Sequence, residues 1–157
     1  MDVAERLRGL LDAEGLEHER TGNTFVVVLP GRAKLRTTVS LELGEHALTV
    51  NAFVCRRPDE NAGAVHRWLL QQNTRLFAVS FALDRLGDIY LVGHLPVRGL
   101  AEDDLDRLLG AVLQATDESF NTILRLGFAS AIEREHAWRR SRGESTDNLT
   151  GLVDDVG

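Results

Sequence analysis

The segment from Leu76 to Leu95, LFAVSFALDRLGDIYLVGHL, determines how the rest of the sequence is interpreted. Large apolar residues alternate with small ones in its first half, and the alternation resumes from Ile89. A period of two is typical of a strand with one buried face, and the charged loop between the halves contains Gly87, which tolerates positive φ angles. The segment therefore predicts a β-hairpin. The side expected to enter the core consists of Phe77, Val79, Phe81, Ile89 and Leu91.

The opposite side of this hairpin has a mixed composition. Its residues are Ala78, Ser80, Ala82, Tyr90, Val92 and His94. They are too small and too polar to form a strong core, yet too apolar to face free solvent throughout. Such a face suits contact with another helix, another subunit or a client segment. Burial under the chain's own last helix is the alternative, and the sequence favours neither.

The remaining elements follow from periodicity, caps and turns. Helices are predicted from Val3 to about Glu14, from Pro58 to about Asn73, and from Ala101 to a break near Gly127, with a further helical segment over Phe128–Arg142. Strands are predicted over Thr24–Leu29, Leu35–Leu43 and His46–Cys55. This is an α+β domain over residues 1–145 with one antiparallel sheet of about five strands. Its predicted order is helix, three strands, helix, two strands and long C-terminal helix, followed by a flexible tail over residues 146–157.

Charge and composition exclude several classes of protein. The net charge of −6 gives the chain no overall attraction for nucleic acid or for an anionic membrane surface. The amphipathic and acidic N-terminus does not match a secretory signal, and no apolar run has the length of a membrane span. A single cysteine, Cys55, is consistent with a reducing compartment. We therefore expect a cytoplasmic protein that does not bind membranes and for which nucleic acid is a disfavoured partner.

Residues for catalysis are sparse. The sequence contains no nucleophile elbow, phosphate loop, dinucleotide fingerprint or zinc-protease motif. Cys55 precedes Arg56 and Arg57, which could lower its pKa, but a small apolar residue packed at a strand end is the preferred interpretation. The aspartates Asp84 and Asp88 flank the hairpin loop, and the histidines are scattered without ligand spacing. We expect no metal, no cofactor and no catalytic residue. An enzyme or small-ligand binder that uses Cys55 or these aspartates is the alternative.

A late arginine cluster surrounds Trp138. Its members are Arg134, Arg139, Arg140 and Arg142. The cluster could hold an acidic partner or nucleic acid. Nearby glutamates dilute its charge, so a solvated helix end is the favoured interpretation.

Several long strings resemble the actinobacterial branch of the YbjN domain family. The resemblance extends from about residue 3 to about residue 145. The strings are RRPDEN from Arg56, Trp68 with Asn73, LDRLGDIYLVG from Leu83, SFNTILRLGF from Ser119 and WRRSRGES from Trp138. The resemblance implies a fold similar to type III secretion chaperones. It also implies a non-enzymatic regulator, associated with stress response or sensory transduction, and the chaperones of this fold bind partner segments and often form homodimers.

The leading hypothesis is a protein-binding module of regulatory or chaperone type. Its expected contact residues are Ala82, Tyr90, Val92, Trp138 and Arg142. A structural homodimer, in which the sheet or the long helix completes a partner's core, is a further alternative.

Overall fold

The computed structural model describes residues 2–143, so the predicted tail over residues 146–157 and the domain boundary at residue 145 lie outside it. Within this range the chain forms four α-helices, one short 3-10 helix and six strands. The helices are α1 Val3–Ala13, α2 Ala62–Gln72, α3 Glu102–Gly127 and α4 Ala129–Ser141, with the 3-10 helix at Asn73–Arg75. The strands are β1 Glu17–Thr21, β2 Thr24–Pro30, β3 Arg36–Leu43, β4 Ala47–Cys55, β5 Val79–Leu83 and β6 Ile89–Pro96. None of these helices is both long and apolar enough to cross a bilayer.

The described strands form one antiparallel sheet in the order β1-β2-β3-β4-β6-β5. The predicted α+β class is confirmed, but the expectation of about five strands is wrong by one, because four strands precede α2. The additional strand, β1, has the sequence Glu-His-Glu-Arg-Thr and pairs with β2 across a turn in which Gly22 has a φ of 61°. It lies at the sheet edge with mostly exposed side chains, so it carries no hydrophobic alternation that a sequence pattern could reveal.

One face of the sheet is buried beneath the helices. The inward side chains of the central strands have no exposed surface; they are Phe25, Val27, Val39, Leu41, Leu48, Val50, Ile89 and Leu91. The apolar stripe of α3 covers this face with Leu108, Val112 and Ile123, and α1 adds Leu7 and Leu11. Because apolar residues three or four apart form one helical face, the long stripe of α3 was predictable from spacing.

The hairpin has the predicted strands and loop, with one error at its start. Val79, Phe81, Ile89 and Leu91 are buried as predicted, but Phe77 is 42% exposed. Strand β5 begins only at Val79, because Ala78 has a φ of 61° and the Val79 N–H donates to the Phe77 carbonyl at 2.7 Å. This tight turn ends the alternation, so Phe77 does not share the inward face.

A single carboxylate joins the β2–β3 loop to α3. Asp117 Oδ1 accepts hydrogen bonds from the backbone N–H groups of Arg32, Ala33 and Lys34 at 2.8, 2.8 and 3.1 Å. Consecutive backbone N–H groups that converge in this way form a concave anion site. A β-carbon at Gly31 would lie 2.7 Å from the same oxygen, so the loop approaches α3 as closely as its backbone allows.

Candidate functional site

The outer face of the sheet, opposite the helices, retains an apolar patch. Strand register places Phe53 opposite Tyr90 and Tyr90 opposite Ala82. The rings of Phe53 and Tyr90 meet edge to face, with centroids 5.4 Å apart and planes at 74°. Phe53 is 42% exposed, while Ala82 and Tyr90 are half-buried. We call Phe53, Ala82, Tyr90 and Val92 the aromatic corner.

Polar residues surround the aromatic corner. Val92 lies opposite Asn51 on one side and Ser80 on the other, and His94 lies opposite Thr49. Of the mixed hairpin side predicted from sequence, Ser80 and His94 are exposed, whereas Ala82, Tyr90 and Val92 are half-buried. Alternation along β4 would have revealed Phe53, because Leu48, Val50 and Val54 face inward. Phe53 lies on β4, outside the two hairpin strands from which the mixed face is predicted.

The hairpin loop borders the aromatic corner, and its carboxylates influence the pKa of Tyr90. Partial desolvation raises the pKa of Tyr90, and the neighbouring carboxylates of Asp84 and Asp88 add to the effect. A hydrogen bond between the Tyr90 side chain and Asp84 raises this pKa further. Asp84 Oδ1 accepts from the Leu86 and Asp88 backbone N–H groups at 2.9 and 3.0 Å, so this aspartate is engaged in holding the turn.

The RRPDEN segment, residues 56–61, packs against the end of α3. We call this contact region the joint. Arg56 pairs with Asp59 at 2.6 Å and lies over the ring of Phe128 at 4.6 Å. The backbone N–H groups of Asp59 and Glu60 both donate to the Gly127 carbonyl, at 2.9 and 3.1 Å. These residues were predicted to begin α2. They instead contact the end of α3, and α2 begins only at Ala62.

The same segment holds the start of α4. The Glu60 carboxylate accepts from the Ser130 backbone N–H at 2.7 Å and from its hydroxyl at 3.1 Å. Asn61 has a φ of 52° and donates through Nδ2 to the Leu126 carbonyl at 3.1 Å. The hairpin loop is tied to this joint as well, since Asp88 Oδ1 accepts from the Arg57 backbone N–H at 2.7 Å.

Cys55 is not an activated thiol. It is buried at the end of β4, where desolvation raises its pKa to about 11, although Lys34 and Arg56 act in the opposite direction. The suggestion that Arg56 and Arg57 lower the pKa of this thiol is wrong for the net direction, because loss of hydration outweighs the attraction of Lys34 and Arg56. Packing at a strand end, the preferred interpretation, agrees with its 8% exposure.

Trp138 and Arg142 lie on or just after α4 and form a separate group. The Arg142 guanidinium carbon lies 4.5 Å from the Trp138 ring centroid, and Trp138 is 49% exposed. A shallow hollow beside Trp138 is lined by Ala131, Arg134 and Glu135, which also belong to α4. These contacts do not join the pair to the aromatic corner. Among residues 2–143, no group of three or more His, Cys, Asp or Glu side chains is placed to hold a metal ion.

The family's sequence profile covers the sheet and most of the helical layer. The YbjN profile, described as "Putative bacterial sensory transduction regulator", matches residues 4–125. The chain belongs to the YbjN family. An uncharacterised protein of Mycobacterium leprae is 53% identical over 136 residues, which cover 85% of this chain and 74% of that protein.

Solved structures show the same fold. YbjN from E. coli superimposes with a TM-score of 0.54 at 18% identity, covering 74% of this chain and 89% of that one. The Yersinia pestis type III secretion chaperone SycH, solved in complex with a stable fragment of YscM2, gives a TM-score of 0.51 at 16% identity, covering 72% and 95%. The predicted likeness of this YbjN-family chain to type III secretion chaperones is thus confirmed for the fold. Helix α4 follows the last residue that the family profile matches.

Proposed function

We propose that this YbjN-family chain is a non-enzymatic protein-binding module of regulatory or chaperone type, and that its aromatic corner contacts a partner protein. The aromatic corner is the observation that carries the proposal. It places a half-exposed aromatic pair and a half-buried valine on the sheet face opposite the helices. Aromatic side chains on an accessible and otherwise polar face are typical of the central residues of a protein interface.

The comparisons support the proposal at the level of fold. SycH was solved with a fragment of another protein, and we transfer protein binding from that fold to this chain as a hypothesis. The burial of Cys55 and the hydrogen bonds of Asp84 support a non-enzymatic role. Burial suppresses the thiolate, and the carboxylate of Asp84 is engaged by backbone N–H groups. These groups therefore lack the activation that a nucleophile requires.

A protein partner is favoured over nucleic acid. The chain carries a net charge of −6, and on α4 Arg139 pairs with Glu135 at 2.7 Å, which reduces the field available to a phosphate backbone. We place the protein in a reducing compartment such as the cytoplasm, because its one cysteine is a buried free thiol. Trp138 and Arg142 form a second candidate contact on α4.

Affinity capture from the native host with paired variants tests the proposal. Tyr90→Asp places a charge in the aromatic corner and should abolish capture of a partner. Thr38→Asp introduces the same charge at an exposed site on the same face and should leave capture intact. Trp138→Ala reports separately on α4. Circular dichroism must show that all three variants fold. Equal capture by Tyr90→Asp and wild type would contradict the proposed surface.

The homodimer stays a prediction with its own measurement. Light scattering over a range of protein concentrations distinguishes a monomer from a homodimer. A strict monomer at every concentration would eliminate the structural homodimer.

A further inference from the structure

The two edges of the sheet differ in chemistry. Strand β1 forms one edge with the sequence Glu-His-Glu-Arg-Thr, and Arg36 pairs with Glu17 beside it at 3.3 Å. Strand β5 forms the other edge with Val-Ser-Phe-Ala-Leu and has no charged residue. Natural sheets commonly protect their edges from additional strands with charged side chains. The β5 edge lacks charged side chains, so a different feature must protect it from additional strands.

The side chain of Asn73 occupies the middle of the β5 edge. Its Oδ1 accepts a hydrogen bond from the Phe81 N–H at 2.7 Å, and its Nδ2 donates to the Phe81 carbonyl at 3.2 Å. The primary amide thus presents one acceptor and one donor to the same residue, as a residue of a neighbouring antiparallel strand does. Asn73 imitates one residue of a seventh strand.

The other outward backbone groups of β5 can be assigned from the same alternation. Since Phe81 points its N–H and carbonyl away from β6, Val79 and Leu83 do so as well. The Val79 N–H is engaged by the Phe77 carbonyl. Among residues 2–143 the outward N–H and carbonyl of Leu83 have no hydrogen-bond partner, so a docking strand would find one unpaired residue there and a second where it displaces Asn73.

An apolar groove runs beside this edge, between α2 and β5. It has a volume of about 330 Å³ and is lined by His66, Leu69, Leu70, Phe81, Ala82 and Leu83. Leu70 and Leu83 are 67% and 46% exposed. Within residues 2–143 the buried Nε2 of His66 has no hydrogen-bond partner. Open strand hydrogen bonds beside an apolar groove match the way in which an extended peptide adds to a sheet, with alternate side chains entering pockets.

We propose that the β5 edge is a docking site for an extended segment of a partner protein with apolar residues at alternate positions, and that Asn73 holds one position of that strand until the segment displaces it. This proposal deepens the proposed protein-binding function and rests on it. The segment replaces the two Asn73 hydrogen bonds with two of its own, so the exchange of hydrogen bonds is nearly balanced. Burial of its apolar side chains in the groove supplies the net attraction.

A defined peptide tests the docking site. The probe is a fluorescent ten-residue peptide with Val and Thr alternating between Lys pairs at its ends, and binding is followed by anisotropy. Asn73→Ala should bind it at least fivefold more tightly than wild type, because the Phe81 N–H and carbonyl then have no competing side chain. Asn121→Ala, the same substitution at an exposed site on α3, should bind like wild type. Leu83→Lys should abolish binding, and so should N-methylation of alternate peptide nitrogens, because strand pairing requires those N–H groups.

The outcomes separate this proposal from the proposed function. Peptide binding that is unaffected by Asn73→Ala, by Leu83→Lys and by N-methylation would overturn the docking site. Concentration-dependent dimerisation of Asn73→Ala without peptide binding would also overturn it, since the occupant would then be a second copy of the chain. Thr38→Asp, on β3 and away from this edge, should leave peptide binding unchanged. If Tyr90→Asp loses partner capture while Asn73→Ala binds the peptide like wild type, the docking site is refuted and the proposed function stands.

Discussion

Removal of the Asp117 carboxylate should destabilise the protein without changing its core. Asp117→Ala deletes three hydrogen bonds from backbone N–H groups to a charged oxygen. Bonds to charged groups contribute about 1.5–3 kcal/mol each, but these three share one acceptor in a partly exposed loop where water can replace it. We expect the free energy of unfolding to fall by about 2–4 kcal/mol in total. For a chain of this size that corresponds to a decrease in melting temperature of about 4–16 °C.

Thermal and urea unfolding followed by circular dichroism measure this effect. Asp117→Asn keeps an acceptor oxygen of similar shape and loses only the charge, so it should fall between wild type and Asp117→Ala. Glu118→Ala is the matched control, because this exposed neighbour accepts one side-chain bond, from Gln114, and its removal should change stability by less than about 0.5 kcal/mol. An Asp117→Ala protein as stable as the control would refute the assignment of this loop as an anion site that stabilises the fold.

Three further outcomes follow from the structure. Cys55 should react slowly with iodoacetamide at pH 8 in the folded protein and rapidly in urea, because its raised pKa of about 11 keeps the thiol protonated; a native rate equal to the unfolded rate would contradict its burial. Gly93→Ala should lower the free energy of unfolding by at least about 2 kcal/mol, measured by urea titration, because the new β-carbon would lie 2.1 Å from the Ala78 carbonyl oxygen. Glu60→Ala should increase amide hydrogen exchange in α4 while leaving β6 unchanged, because both bonds to Ser130 are lost; equal protection in variant and wild type would show that other contacts hold α4.

Sequence patterns are sufficient to predict the elements whose stabilising contacts are close in sequence. The Asp2 carboxylate accepts from the Glu5 N–H at 2.8 Å and Gly15 has a φ of 68°, so both ends of α1 are marked by residues within or beside the helix itself. The hairpin loop and the stripe of α3 were equally accessible, because a period of two or of 3.6 residues records which face is buried.

Signals failed where the partner is distant or the residues are polar. Strand β1 has almost no apolar residue, so only its pairing with β2 identifies it. Phe77 fits the alternation of β5, but the turn at Ala78 excludes it, and no composition rule predicts a positive φ at alanine. Alternation predicts that Tyr90 and Val92 share the outward side of the hairpin, and their role in binding stays a prediction. Alternation does not predict the contact between Asn73 and Phe81. An asparagine that follows a helix can form several kinds of hydrogen bond. The pair of bonds from Asn73 to Phe81 depends on how the helix is placed against β5 in the folded protein.

The joint between the RRPDEN segment and α3 makes the length of a helix depend on a remote loop. The last carbonyls of a helix have no partner within it, and their satisfaction helps to decide where it stops. Here Asn61 contacts the Leu126 carbonyl from 65 positions earlier in the chain, and a β-carbon at Gly127 would lie 2.8 Å from Pro58. The end of α3 and the direction of α4 are therefore encoded in part between β4 and α2. Sequence changes in that loop should therefore alter the orientation of α4, so the two segments are expected to evolve as one unit.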